Sequence, residues 1–87
     1  MADVHLPTTL LPLFPGLTRR VDVAAGTVLG AIDELEAQWP GLRDRLVAEG
    51  PVLRNHIHVY VDGERAGLDS PVAERSRLDV IAAISGG

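Results

Sequence analysis

Apolar and polar positions alternate at Val4, His5 and Leu6, the period of a strand, until Pro7 interrupts them. Pro12 and Pro15-Gly16 then break the chain again. Leu17 to Val23 read as a second strand, with Thr18, Arg20 and Asp22 interleaved among Leu17, Val21 and Val23. Two short strands joined by turn residues predict a hairpin. After Gly26 the period changes. Thr27 is placed to cap a helix, and Val28, Ile32, Leu35 and Trp39 follow at spacings of four, three and four, one apolar stripe. Asp33, Glu34 and Gln38 fall off that stripe, and Pro40-Gly41 ends the helix. Leu42 and Leu46 predict one further helical turn, closed by Gly50-Pro51. Ile57, Val59 and Val61 alternate with His58 and Tyr60 in a third strand, and Asp62-Gly63 marks its turn. Glu64 to Leu68 leave room for a short return strand. Beyond Ser70-Pro71, Leu78 to Ile84 form the last strand, which runs into Ser85-Gly86-Gly87.

One main helix and four or five strands in 87 residues predict an α+β domain, its sheet covered by the helix on one face and open on the other. Composition agrees. Hydrophobic residues make up 46% of the chain and charged residues 23%, which is globular and leaves no room for a second domain. The aromatics are Phe14, Trp39 and Tyr60 alone, so the core must be aliphatic.

Charge narrows the functions open to such a domain. The net charge is −4, and all eight positive charges are Arg, which argues against nucleic acid as a partner. Without Cys there is no disulfide, thiolate metal site or thiol nucleophile. No basic-then-apolar leader opens the chain and no apolar run has membrane-spanning length, so the expected setting is cytoplasmic, with no membrane partner. No Ser-His-Asp pattern, glycine-rich phosphate loop or HExxH motif is present, so the chain is not expected to be an enzyme. His56 and His58, two apart, share a strand face that His5 joins if its strand is a neighbour, but no third ligand is fixed by spacing and no metal is expected. Asp33-Glu34 and the Arg pairs read as solvated surface.

The unusual feature is the end of the chain. Ser85-Gly86-Gly87 places a carboxylate on two residues without side chains, thin enough to thread a narrow channel toward another protein's catalytic atoms. Such a carboxylate is inert as an acyl donor until adenylation by ATP gives it a leaving group.

With that ending, the order and spacing of several segments resemble the MoaD/ThiS family of ubiquitin-like sulfur carriers, most closely its CysO-like members of cysteine biosynthesis. The likeness is carried by Pro7-Thr8-Thr9-Leu10-Leu11-Pro12, Gly26-Thr27-Val28, Trp39-Pro40-Gly41-Leu42, Val59-Tyr60-Val61-Asp62-Gly63-Glu64 and Ile81-Ala82-Ala83-Ile84-Ser85-Gly86-Gly87. It departs at Leu11, where the family commonly has Arg, at Glu74-Arg75-Ser76-Arg77 in place of an acidic turn, at Ala82 in place of a proline, and at Ser85 in place of Ala.

The resemblance implies a β-grasp fold over residues 1–84, a mixed sheet of four to five strands on one main helix, with residues 85–87 a flexible tail. It implies that a ubiquitin-activator-like enzyme adenylates the Gly87 carboxylate with ATP. Sulfide or a persulfide then displaces AMP, and the Gly87 thiocarboxylate gives sulfur to an acceptor in a partner synthase. No cofactor is bound permanently, because the ATP is consumed by the partner. A chain without Cys can carry sulfur only on a group added to it, and the terminus is available. Ser85 and Gly86 would thread the tail. Period-2 sorting puts Leu78 and Val80 under the helix with Ile57, Val59, Val61, Val4 and Leu6. Ile81 and Ala83 then face outward beside His58 and Tyr60, a partner-docking patch that Ile84 extends. The acceptor remains open at this stage: cysteine or a related metabolite, or a molybdopterin precursor if the chain is a synthase small subunit. A β-grasp interaction module whose tail is never activated, or a modifier joined through Gly87 to lysines of other proteins, are the readings outside sulfur transfer.

Overall fold

A computed structural model describes residues 1–83. Five strands form one sheet: β1 (Ala2–His5), β2 (Arg20–Val23), β5 (Ile57–Val61), β6 (Glu64–Ala66) and β7 (Arg77–Ala82). Their order across the sheet is β2-β1-β7-β5-β6. Every neighbouring pair is antiparallel except β1 and β7, which run parallel in the centre. The first and last strands therefore join two hairpins into one sheet. Between β2 and β5 lie α1 (Val28–Gln38), α2 (Leu42–Leu46) and a small hairpin of β3 (Val47–Ala48) and β4 (Val52–Leu53).

The helix begins where its donors find partners. The Thr27 side chain accepts from the Gly30 N–H at 3.0 Å, with Thr27 itself extended. The loop before β7 supplies the other acceptors: Val28 N–H donates to the Ser70 carbonyl and Leu29 N–H to the Leu68 carbonyl. Three amides that a bare helix end would leave unbonded are thus satisfied. The stripe read from the sequence is the buried face, with Val28, Ile32 and Leu35 fully enclosed. Trp39 closes the helix half-buried, and Gly41, at φ +99, takes the left-handed turn into α2. Leu42 and Leu46 carry the same core around the corner to meet Val4, Val59 and Leu78 from the sheet.

The expected α+β architecture holds, including the mixed sheet of five strands on one main helix. Several boundaries differ. The second strand begins at Arg20 and not at Leu17, because Leu17 is buried in the preceding loop and donates its N–H to the Phe14 carbonyl. The return strand stops at Ala66 and not at Leu68, since the next amide, Gly67, donates to the Ser70 hydroxyl. The last strand runs Arg77–Ala82, so its expected end at Ile84 lies outside the described residues. Thr8–Leu13 form a 3-10 helix where only breaks were read, and Leu10 plugs it into the core. The β3-β4 hairpin was not foreseen either, being two residues a side. Sorting by alternation holds: Val4, Leu6, Ile57, Val59, Leu78 and Val80 are buried, and Val61 is half-buried at the margin.

Candidate functional site

The helix covers one face of the sheet, and the other carries the residues on which docking was expected. In the β5-β7 register His58 stands opposite Ile81 and Tyr60 opposite Asp79. Continuing outward, Asp79 is level with His5, His5 with Arg20, and Tyr60 with Arg65, so one row crosses all five strands. Tyr60 in this row and His58 beside it are half-buried. Ile81 is 46% exposed, a large apolar side chain among charged neighbours. Ala83 is exposed just past β7, and its N–H donates to the His56 carbonyl at 2.7 Å, holding the exit of the last strand against β5. The structure thus brings together four of the five residues on which docking was expected, and Ile84 lies outside the described residues, as do Ser85, Gly86 and Gly87.

Around this apolar spot several polar side chains are paired. Asp3 accepts from Arg20 at 2.8 Å and approaches His5 Nε2 at 2.9 Å, and the Arg20 hydrogen bond first, then His5, holds its carboxyl below the usual range. Arg77 Nε lies 3.1 and 3.0 Å from the two oxygens of Asp79. Arg65 donates to His58 Nδ1 at 2.7 Å. A guanidinium has only donors, so that ring nitrogen accepts and the neutral imidazole carries its hydrogen on Nε2.

The three histidines do not converge. β7 separates β1 from β5, which puts His5 and His58 two strand spacings apart, about 10 Å. His56 lies in the turn before β5 and not on the strand. Among the described residues no group of three His, Cys, Asp or Glu is placed to hold a metal.

Two polar devices escaped the sequence reading. Asp62, at φ +50 in the turn with Gly63, reaches across to accept from the Arg77 N–H and from the Ser76 hydroxyl, both at 2.9 Å. It thereby fixes where β7 begins. Glu36 accepts from the Gly41 and Arg43 amides at 3.0 and 2.9 Å, which anchors the turn between the helices. The only sequence hint was Asp62-Gly63 as a turn. Which amides a carboxylate would meet depends on strand order, which spacing does not encode.

A mixed sheet with parallel first and last strands in its centre and one helix across a single face is the β-grasp, ubiquitin-like class of fold. No family model matches the chain. The chain is similar to the sulfur carrier protein CysO of Mycobacterium tuberculosis, 31% identical over 91 residues that span 97% of this chain and 96% of the relative. It is similar also to small archaeal modifier protein 1 of Haloferax volcanii, 35% identical over 71 residues, 80% of this chain and 82% of the relative. Among solved structures, a chain of the Amycolatopsis orientalis BexX/CysO complex superimposes with a TM-score of 0.88 at 33% identity, covering 100% of both chains. The chain belongs to the MoaD/ThiS-like family of ubiquitin-like sulfur carriers, close to CysO. The Mycobacterium relative is a sulfur carrier protein and the Haloferax relative a modifier protein, and the Amycolatopsis relative was solved in complex with BexX.

Proposed function

We propose that the chain carries sulfur as a thiocarboxylate on Gly87. The observation that supports this most is a match to CysO along 97% of a chain that has no Cys and ends in Gly86-Gly87. A partner enzyme of the ubiquitin-activator type joins the Gly87 carboxylate to AMP, releasing pyrophosphate from ATP. Sulfide attacks the acyl carbon, the C–O bond to AMP breaks, and the thiocarboxylate remains. A second partner, a synthase, takes that sulfur into cysteine or a related metabolite. Ser85 and Gly86 thread the tail into each active site, while His58, Tyr60, Ile81, Ala83 and Ile84 form the docking patch beside it. The chain itself needs no bound cofactor, because the ATP is spent by the partner.

Intact mass spectrometry after incubation with ATP, sulfide and the adenylating enzyme of the same host tests this. The expected result is a shift equal to one oxygen replaced by sulfur, absent when Gly87 is deleted. An unchanged mass, with an enzyme shown to load another carrier and again in material from the native host, would overturn the proposal in favour of an unactivated module.

The similarity to small archaeal modifier protein 1 favours one other reading, in which the same acyl-adenylate ends in an amide with a lysine of another protein. The chain has no Lys and cannot extend itself in that way. Adducts on other proteins from which trypsin, cutting after Arg77, leaves residues 78–87 on a lysine, with no thiocarboxylate detected, would mark that route.

A further inference from the structure

The parallel seam between β1 and β7 stops early, for a reason written in one residue. Their register pairs Asp3 with Arg77, Val4 with Leu78 and His5 with Asp79, and the Asp3 N–H donates to the Ser76 carbonyl. In a parallel ladder that phase sends the His5 N–H to the Leu78 carbonyl and the Val80 N–H to the His5 carbonyl. The next rung needs an N–H at residue 7 to reach the Val80 carbonyl, and residue 7 is proline. The chain turns instead into the 3-10 helix at Thr8.

The other edge of β7 does not use these groups. The bond from the Ala83 N–H to the His56 carbonyl, and that from the Asp62 N–H to the Arg77 carbonyl, set the phase of the β5 pairing. Ile81 and Asp79 therefore bond toward β5, while the Val80 carbonyl and the Ala82 N–H point to the side that β1 has left. No hydrogen bond among the described residues joins them to Pro7 or to the 3-10 helix. The vacated lane is a groove between Pro7, Thr8 and Thr9 on one side and Val80, Ile81 and Ala82 on the other, with Arg19 lining it. Arg19 forms no ion pair among the described residues, whereas the one acid in the groove, Asp79, is engaged by Arg77.

We propose that this groove takes an extended strand of the adenylating enzyme, which bonds to the Val80 carbonyl and the Ala82 N–H and sets an acidic side chain against Arg19. The inference rests on the activation of Gly87 proposed above. Two features choose that occupant. The unneutralised guanidinium wants an acid. And five residues, 83 to 87, separate the open rung from the carboxylate to be adenylated, so a grip here lies within roughly 18 Å of it along the chain. Strand addition supplies main-chain hydrogen bonds that hold β7 in line with the tail.

The test is pyrophosphate exchange by the host adenylating enzyme with wild-type chain, Ala82→Pro, Ala82→Ser and Arg19→Glu. Ala82→Pro removes the open N–H and no hydrogen bond of the fold, and the family pattern itself carries proline at this position. It should melt with wild type while raising KM for the chain about 3- to 10-fold, the loss of one hydrogen bond, with kcat little changed. Ala82→Ser keeps the N–H and should match wild type. Arg19→Glu should raise KM about tenfold, an effect that added salt reduces. If wild type supports exchange and Ala82→Pro and Arg19→Glu keep its KM, the strand-addition proposal is wrong and Gly87 activation stands. If wild type supports none, both fall together.

Discussion

At the scale of single residues, three carboxylates decide how the fold responds to acid. Asp62 holds the Arg77 amide and the Ser76 hydroxyl, Glu36 holds the Gly41 and Arg43 amides, and Asp3 holds Arg20 and His5. Each of these hydrogen bonds favours the ionised form, and each pKa lies below its ordinary value of 3.8 for the two Asp and 4.5 for Glu36. A carboxyl whose folded pKa is depressed stabilises the fold above the unfolded value and ceases to do so as pH falls through the folded one. The melting temperature should therefore hold level from neutral pH down to about 5, then fall progressively through pH 4 and below. Asp62→Asn, which still tolerates the left-handed turn, should melt lower at pH 7 and show a shallower acid decline. A variant curve parallel to wild type across pH 3 to 7 would remove Asp62 from this account.

At the scale of elements, α1 is held by its stripe and its start. Leu35→Ala opens a cavity beneath a fully buried position and should cost about 2–5 kcal/mol in denaturant unfolding. Thr27→Ala removes the acceptor for the Gly30 amide and should cost about 1 kcal/mol. Both follow from features visible in the sequence, for Thr27 and the Val28, Ile32, Leu35 and Trp39 spacing marked the helix to within a residue of Val28–Gln38. The strands were legible where side chains alternate, as in Ile57–Val61. They were misjudged where hydrophobic residues serve a loop, as Leu17 does, or where a short hairpin offers too few positions for a period, as in β3 and β4. The 3-10 helix was hidden because its prolines read as breaks, although Leu10 packs into the core. Which residues share the open face was legible from alternation. Its hydrogen-bonded pairs were not, since Asp3 with Arg20 and Arg65 with His58 meet only once strand order and register are known.

At the scale of the whole molecule, the two faces of the sheet divide the work. One is committed to the core, so substitutions on it should act on stability. The other carries Ile81 among charged side chains, and substitution there should act on partners. Ile81→Asp should leave the melting temperature near that of wild type and lower kcat/KM for thiocarboxylation about tenfold or more, the loss expected for an apolar anchor in a docking site. An undiminished rate would shift the docking patch away from β7.

The central place of β7 also bears on how the protein is made. Until Arg77–Ala82 have been synthesised, β1-β2 and β5-β6 are two separate hairpins, and an isolated two-stranded hairpin is marginal in water. A chain broken off before that strand has Val4 and Val59 exposed and is open to proteolysis. The keystone of the sheet is the last described element to leave the ribosome. Folding thus becomes a proofreading step: a copy that survives to meet a partner is one whose translation ran on to the threshold of Gly87.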